Sequence, residues 1–161
     1  MNDEPANERN EDGFTLIELI VVIGIIAVLI AIMIPTLLQS RVPAQDRQAQ
    51  NLLRNSLTAA KAVETSDGVV PDTTRLTNEE PAVSFVASTI TAPANQRRVS
   101  VAQVTAGSVT YVVLASHSTS GRCFALLEQP YSPTKFQRID HAPTCQADQF
   151  DAVTGWLDAW P

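Results

Sequence analysis

The chain has 161 residues, of which 45% are hydrophobic and 17% charged, and this length suits one globular domain plus an additional element. The formal net charge is −6, but residues 1–13 hold five acidic side chains against one arginine, a net of −4, which leaves −2 for the rest. Outside its N-terminus the chain therefore has no broad electrostatic attraction for nucleic acid or anionic lipid.

A long apolar segment occupies residues 14–38 and contains one ionisable residue, Glu18. As an α-helix it would extend about 37 Å at 1.5 Å per residue, enough to cross a hydrocarbon core of about 30 Å. The uninterrupted apolar part, residues 19–34, is rich in β-branched residues, which are mediocre helix formers in water. In lipid the helix is still favoured, because an isolated strand would leave its backbone amides unpaired.

The start of the chain does not resemble a conventional secretory signal, which has basic residues, a shorter apolar core and a small-residue cleavage site. Here the start is acidic and the apolar run leads into Pro35 without such a site, so the apolar helix should be retained. Positive charges flank the span unequally: Arg9 precedes it, whereas Arg41, Arg47, Arg54 and Lys61 follow it. The positive-inside rule alone would place the C-terminal side in the cytoplasm.

The stretch from Gly13 to Glu18, GFTLIE, precedes this span directly. It closely resembles the processing site of type IV prepilins and of the pseudopilins of type II secretion. The resemblance covers roughly residues 13–66 and implies cleavage after Gly13 by a prepilin peptidase, followed by methylation of the new N-terminal residue, Phe14. It also implies a cytoplasmic N-terminus, against the charge count, whereas an ordinary single-pass anchor is the alternative. The leader itself is acidic, although family leaders usually carry lysine or arginine.

Glu18 is a carboxylate in a membrane helix, which costs roughly 2.5–3.5 kcal/mol at full depth and less near the interface. Cleavage after Gly13 would create a cationic amine on Phe14, one helical turn away. The amine could pair with Glu18 of the same subunit or of a neighbour, and the resemblance implies the neighbour. In a low-dielectric filament core this pairing is stronger than in water, although desolvation offsets part of the gain. The alternative is a carboxylate that reaches the interface without a partner.

Two prolines follow the apolar run. Pro35 removes the amide bond to the carbonyl of Ala31, and Pro43 does the same toward Gln39, so each should bend or loosen the helix. In relatives the helix between such prolines is often partly unwound in the filament.

After Pro43 the helical pattern becomes one-sided and predicts one helix from Phe14 to about Thr65, ended by Ser66-Asp67-Gly68. The apolar positions of its second half are Ala49, Leu52, Leu53, Leu57, Ala60 and Val63. Polar residues, including Asp46, lie mostly off this stripe, and the stripe is too short for a coiled coil.

The remaining chain predicts a loop over residues 69–81 and then β structure. Strands are expected near 83–90, at RVSV around Val99, at VTYVVLAS, at 123–127 and at 135–139, with a turn at Gly107-Ser108. The fold class predicted is α+β, with an antiparallel meander of three or four strands packed on the helix, as in type IV pilins. The expected divisions are a leader at 1–13, a membrane and assembly helix at 14–38, an amphipathic half at 39–67 and a globular head at 68–161.

Two cysteines, Cys123 and Cys145, lie near the C-terminus. In an exported domain an even number of cysteines indicates a disulfide. The bridge would close a loop of roughly 20 residues and contribute about 3 kcal/mol on the chain-entropy model. It would attach the C-terminal segment to the third strand of the meander. Two buried free thiols are the alternative.

No catalytic, cofactor or metal constellation is apparent in the sequence. His117 and His141 fall in predicted loops without ligand spacing, and phosphate-loop and nucleophile-elbow patterns are absent. Trp156 and Trp160 are expected to cover the core of the head. The basic pair Arg97-Arg98 is better explained as a solvated strand end than as a nucleic-acid contact.

The sequence thus favours a non-enzymatic structural subunit of a type IV pilus, serving adhesion, motility or DNA uptake. The expected partners are further copies in a helical filament, prepilin peptidase, the assembly machinery with minor pilins, and membrane lipid before assembly; DNA is not supported by the charge. The precursor would cross the plasma membrane once, and the mature protein would be extracellular. The alternatives are a minor pilin or pseudopilin and a membrane-anchored binding protein that does not polymerise.

Overall fold

A computed structural model of the chain describes residues 13–91, 97–129, 132–150 and 155–161, without the side chains of Leu38 and Gln39. The predicted leader lies outside the described residues except for Gly13. The chain forms two compact units, Met1–Ser40 and Arg41–Pro161.

Helix α1, Leu16–Asp67, has 52 residues and continues through both prolines. It confirms the predicted long helix and begins two residues later than predicted, because Thr15 lies just outside it and its carbonyl accepts the first helical bond from Leu19 N at 3.2 Å. Near the prolines, Thr36 Oγ1 donates to the carbonyl of Met33 at 2.7 Å and Ser40 Oγ donates to that of Leu37 at 2.9 Å. The bend expected at each proline stays a prediction.

In the second unit, α1 buries the predicted apolar stripe. The buried members are Ala49, Leu52, Leu53, Ala60 and Val63, and Leu57 is partly buried. Most of them join the first core cluster, which also contains Val112, Leu114, Phe124 and Leu126 from the sheet. Burial of these side chains against the sheet stabilises this half of the helix.

The main sheet has five strands in the order β1-β3-β4-β5-β6. Their bounds are β1 Ser84–Val86, β3 Arg98–Ala106, β4 Val109–His117, β5 Cys123–Glu128 and β6 Lys135–Ile139. Strands β3 to β6 form the predicted antiparallel meander. Gly107, with φ of 66°, makes the predicted turn between β3 and β4, a conformation that glycine adopts without strain.

The strand predicted near 83–90 divides between two sheets. β1 pairs with β3 in parallel, whereas β2, Ile90–Thr91, pairs with β7, Thr144–Cys145, in a separate two-stranded sheet. Because the chain leaves the main sheet to form β2 before it returns as β3, β1 and β3 run in the same direction. The meander is therefore extended by one parallel strand.

Both faces of the main sheet are covered. Along β4 the side chains alternate, so that Val112 and Leu114 face α1 while Val113 and Ala115 join a second cluster. The second cluster includes Ile90, the two cysteines and Phe150. A short 3₁₀ helix, Ala147–Gln149, packs on the same side of the sheet and contributes Ala147 to this cluster. Strand β5 is consequently buried along its whole length, which explains the apolar run from Cys123 to Leu127; its last residue, Glu128, is buried as well.

The predicted loop at 69–81 was wrong in part, since it contains helix α2, Thr73–Glu79. Asp72 caps this helix by accepting a bond from Arg75 N at 2.9 Å, and Leu76 is fully buried. One aspartate cap and one apolar anchor are enough to hold a helix of seven residues on a folded body.

The C-terminal residues cover the free edge of β6. Phe136 N donates to Leu157 O at 2.8 Å, and Leu157 N donates to Phe136 O at 2.9 Å. The ring of Trp160 lies 5.4 Å from that of Phe124 and 4.8 Å from that of Phe136, and Trp156 lies 6.0 Å from Phe150. The prediction that both tryptophans cover the core is confirmed.

Candidate functional site

The first unit presents an apolar helical surface. Every large apolar side chain from Phe14 to Leu37 is exposed, from 46% at Val22 to 85% at Phe14. Among the described residues this helix is the one that is long and apolar enough to cross a membrane. Such a surface is far larger than the apolar patches of soluble monomers, so it requires lipid or another protein surface around it.

Glu18 and Thr15 form a capping box at the start of α1. Glu18 N donates to Thr15 Oγ1 at 3.3 Å, while Glu18 Oε2 accepts from Thr15 N at 2.9 Å and from Thr15 Oγ1 at 2.7 Å. The reciprocal bonds satisfy two backbone amides that the helix start would otherwise leave open. The role of Thr15 was missed from the sequence, although the spacing T-x-x-E signals it.

This geometry leaves one carboxylate oxygen of Glu18 available. Both bonds from Thr15 reach Oε2, and Oε1 accepts no hydrogen bond from any residue that the structure describes. A cation from elsewhere can approach Oε1 without breaking the capping box. The bonds use the amide of Thr15, so they do not depend on whether residue 14 is the chain terminus.

The peptide bond between Gly13 and Phe14 precedes the helix and lies in exposed, irregular chain. A Cβ atom built on Gly13 meets no atom within 4 Å. An added Cβ atom at this position therefore causes no clash within the described residues, so we attribute any effect of Gly13→Ala to the protein that binds this segment.

Cys123 and Cys145 form the predicted disulfide, with their Cα atoms 5.4 Å apart and 22 positions apart in sequence. Both cysteines are fully buried. The bridge joins β5 of the main sheet to β7 of the small sheet, so it attaches the C-terminal segment to the third strand of the meander, as expected.

Asp46 is the centre of an ionic cluster that the sequence did not reveal. This residue was expected to lie off the buried face of α1, but it is only 7% exposed. Its carboxylate accepts from Ser118 Oγ at 2.8 Å, from Ser120 Oγ and from Arg122 Nη1, all in or beside the loop between β4 and β5. Arg122 also forms an ion pair with Asp140, whose Oδ1 lies 2.9 Å from Arg122 Nε.

Charge is well compensated in this cluster. Partial burial opposes ionisation of Asp46, but the hydroxyls of Ser120 and Ser118 and the guanidinium of Arg122 outweigh it and hold the pKa of Asp46 below its usual value. The same contact, with help from Asp140, raises the pKa of Arg122. The cluster therefore joins the start of the amphipathic half of α1 to the sheet through ionised groups.

The prediction that His117 lies in a loop was wrong. His117 is the last residue of β4, is 3% exposed, and its Nε2 lies 2.7 Å from the carbonyl of Ala142. It is buried because β4 extends one residue further than the predicted strand, which ended at Ser116. His141 lies in a turn with φ of 55°. The described residues contain no cluster of histidine, cysteine or carboxylate side chains suited to a metal.

Comparison with known proteins places these features in a family. Residues 9–34 match the prokaryotic N-terminal methylation motif. Over 117 residues the chain is 36% identical to the type IV wide pilus major component PilA4 of Thermus thermophilus, covering 73% of this chain and 82% of that protein. The chain belongs to the type IV pilin family. No solved structure gives a significant match to this pilin.

The match to the methylation motif includes Gly13, Phe14 and Glu18 and most of the apolar run. The relative's alignment is too long to be confined to that motif, so the likeness extends into the head of the pilin. Family membership indicates a structural rather than an enzymatic protein.

Proposed function

We propose that this pilin is the main structural subunit of a type IV pilus filament, polymerised through the apolar half of α1. The exposed apolar surface from Phe14 to Leu37 carries the proposal, because a subunit leaving the bilayer must exchange lipid for equivalent protein surface. Likeness to a protein named as a major pilus component favours the major over the minor subunit. Adhesion, motility and DNA uptake are all uses of such a filament.

The precursor crosses the plasma membrane once with its N-terminus in the cytoplasm, where prepilin peptidase cuts after Gly13 and methylates Phe14. The exposed, irregular chain around this bond supports access by a peptidase. The head then lies outside the membrane, where the disulfide is stable. The assembly machinery and minor pilins are the remaining partners.

Assembly depends on a charge pair between Glu18 of a subunit in the filament and the Phe14 amine of an arriving subunit. The capping box holds one carboxylate oxygen on Thr15 and leaves Oε1 for that amine. The carboxylate is thus positioned at the helix start before its partner arrives. Pro35 and Pro43 let the helix between them bend or unwind as the subunit joins the filament.

Three variants separate the charge of Glu18 from its capping role. Glu18→Gln keeps an oxygen that accepts from Thr15 but removes the charge, and Glu18→Ala removes both. Thr15→Val removes the cap and keeps the charge, which should weaken the helix start by about 1 kcal/mol. We expect all three to be cleaved, and we expect Glu18→Gln and Glu18→Ala to lose most of their filaments while Thr15→Val retains them.

The readout is the ratio of subunit in sheared filaments to total subunit, measured by immunoblot and checked by electron microscopy. Native filament yield from Glu18→Gln would refute the charge pair. Loss of filaments from Thr15→Val alone would show that the cap, not the charge, is essential.

A further inference from the structure

Three exposed arginines on the amphipathic half of α1, Arg41, Arg47 and Arg54, have no carboxylate partner among the described residues. Arg47 and Arg54 lie seven positions apart, so they share nearly one face of the helix. The ion pairs of the described chain involve Lys61, Arg75, Arg122, Lys135 and Arg138, but neither of these two arginines. We call Arg47 and Arg54 the basic row.

A groove of opposite charge lies beside the same helix. It has a volume of about 230 Å³ and is lined by Asn55, Thr58, Ala59 and Ala62 of α1 and by Glu79 and Glu80 at the end of α2. Neither glutamate forms an ion pair with a residue that the structure describes. Arg75, the cation on α2, is already held by Asp67 at 3.4 Å and by Asp72. Among the described residues, no cation therefore compensates the charge of this acidic groove.

The basic row and the acidic groove are offset around the helix. At about 100° per residue, the groove's α1 residues lie between about 40° (Thr58) and about 140° (Ala59) from Arg54. One subunit can therefore present its basic row to one neighbour and its acidic groove to another. A contact between two different surfaces that does not close on itself generates an open helical filament.

We propose that the acidic groove receives the basic row of a second copy of this chain. Charge complementarity selects this occupant, since the groove offers two uncompensated carboxylates and the row two uncompensated guanidinium groups on the same chain. The contact aligns neighbouring heads and is separate from the Glu18 pair at the N-terminus. This inference rests on the proposed filament function and specifies the head-to-head part of the assembly.

Charge exchange in the full-length chain tests the contact. Arg54→Glu alone, and Glu79→Arg with Glu80→Arg, each place like charges opposite one another and should lower the filament fraction roughly tenfold. The combination of these three changes with Arg47→Glu reverses both surfaces, restores opposite signs and should recover yield to within roughly threefold of native. The control is Arg97→Glu, at another exposed arginine, and should leave the yield unchanged.

Crosslinking identifies the partner directly. Cells that express Arg54→Cys and Glu79→Cys on separate copies should give disulfide-linked dimers in sheared filaments on non-reducing gels. Either variant alone, or Arg97→Cys with Glu79→Cys, should give none.

The remaining outcomes of these two experiments refute either the head-to-head contact alone or the contact together with the filament function. Native yield from both reversed variants, failure of the combined variant to recover, or no dimers refutes the contact while the filament function stands. Loss of yield from Arg54→Glu without any effect at Glu79 and Glu80 assigns the basic row to another anionic partner, such as lipid or DNA, and also refutes it. Absence of filaments from the native chain refutes the proposed function and this contact together.

Discussion

At the scale of single residues, Asp46 shows how an ionised group is held inside the head. Three donors from the β4–β5 region surround a carboxylate that is almost buried, and each replaces hydration that burial removed. Removing the charge would leave Arg122 with Asp140 as its remaining partner in the described residues. Asp46 is therefore more important for stability than its position beside the apolar stripe suggests.

The lowered pKa of Asp46 gives a testable dependence on pH. A carboxylate whose folded pKa lies below its unfolded pKa stabilises the fold above the unfolded pKa, about 3.9 for aspartate, and loses that effect as pH falls through the folded pKa. Asp46→Asn should lower the free energy of unfolding by about 2 kcal/mol at pH 7. The difference from the native chain should shrink toward pH 3.

Thermal unfolding of the full chain in detergent, followed by circular dichroism at both pH values, measures this difference. Asp148→Asn, at an exposed carboxylate, is the control and should stay close to the native chain at both values. A deficit of Asp46→Asn that is equal at pH 7 and pH 3 would mean that ionisation of Asp46 does not stabilise the head.

Gly13 makes a second prediction at the residue scale. Because an added Cβ atom meets nothing in the described residues and Gly13 lies before α1, Gly13→Val should fold and insert normally. It should nevertheless keep its leader, since we place the peptidase's cut directly after this residue, and Gly13→Ala should show a milder defect. The mass of the subunit recovered from membranes reports the result, and normal clipping of Gly13→Val would exclude the proposed cleavage site.

At the scale of elements, the disulfide joins two strands that share little else. β7 has two residues and pairs with β2, itself only two residues long, so hydrogen bonding alone holds the C-terminal sheet weakly. The bridge ties this sheet to β5, which is buried along its length. The covalent link is therefore a main restraint on the segment around Cys145.

Replacing both cysteines by serine should lower the free energy of unfolding by about 3 kcal/mol on the chain-entropy model. Chemical unfolding of the native and double variants in detergent measures the difference. A single variant, Cys123→Ser, loses the same bridge and should lose a similar amount of stability. Equal stability of the native and double variants would refute a stabilising role for the bridge.

Helix α1 and strands β3 to β6 were predictable because their patterns are local. The apolar run, the one-sided stripe and the turn at Gly107 each depend on neighbouring residues, and the structure places them as expected. Helix α2 was missed because its sequence is mostly polar and depends on Leu76 and the cap at Asp72. The capping role of Thr15 was readable from its spacing to Glu18 but was overlooked.

The Asp46 cluster and the parallel strand β1 could not be read from local pattern. Ser118 lies 72 positions from Asp46, so no spacing rule connects them before the fold is known. Similarly, the direction of β1 depends on the chain's departure to form β2, which in turn pairs with residues near Cys145. These features are set by long-range pairing.

At the scale of the whole molecule, the chain combines two units that differ in where their apolar side chains lie. The second unit buries an ordinary core on both faces of its sheet. The first leaves all of its large described apolar side chains exposed. The same helix α1 contributes residues to both units. A polymer held by such helices is the arrangement that we propose for this pilin.

The most direct test is the N-terminal mass of the subunit in filaments sheared from cells that express the native chain, with electron microscopy of the same fraction. We predict filaments whose subunit begins at a methylated Phe14. Filaments built of subunits that keep residues 1–13, or a chain found solely as monomers in the bilayer, would contradict polymerisation through a processed apolar helix.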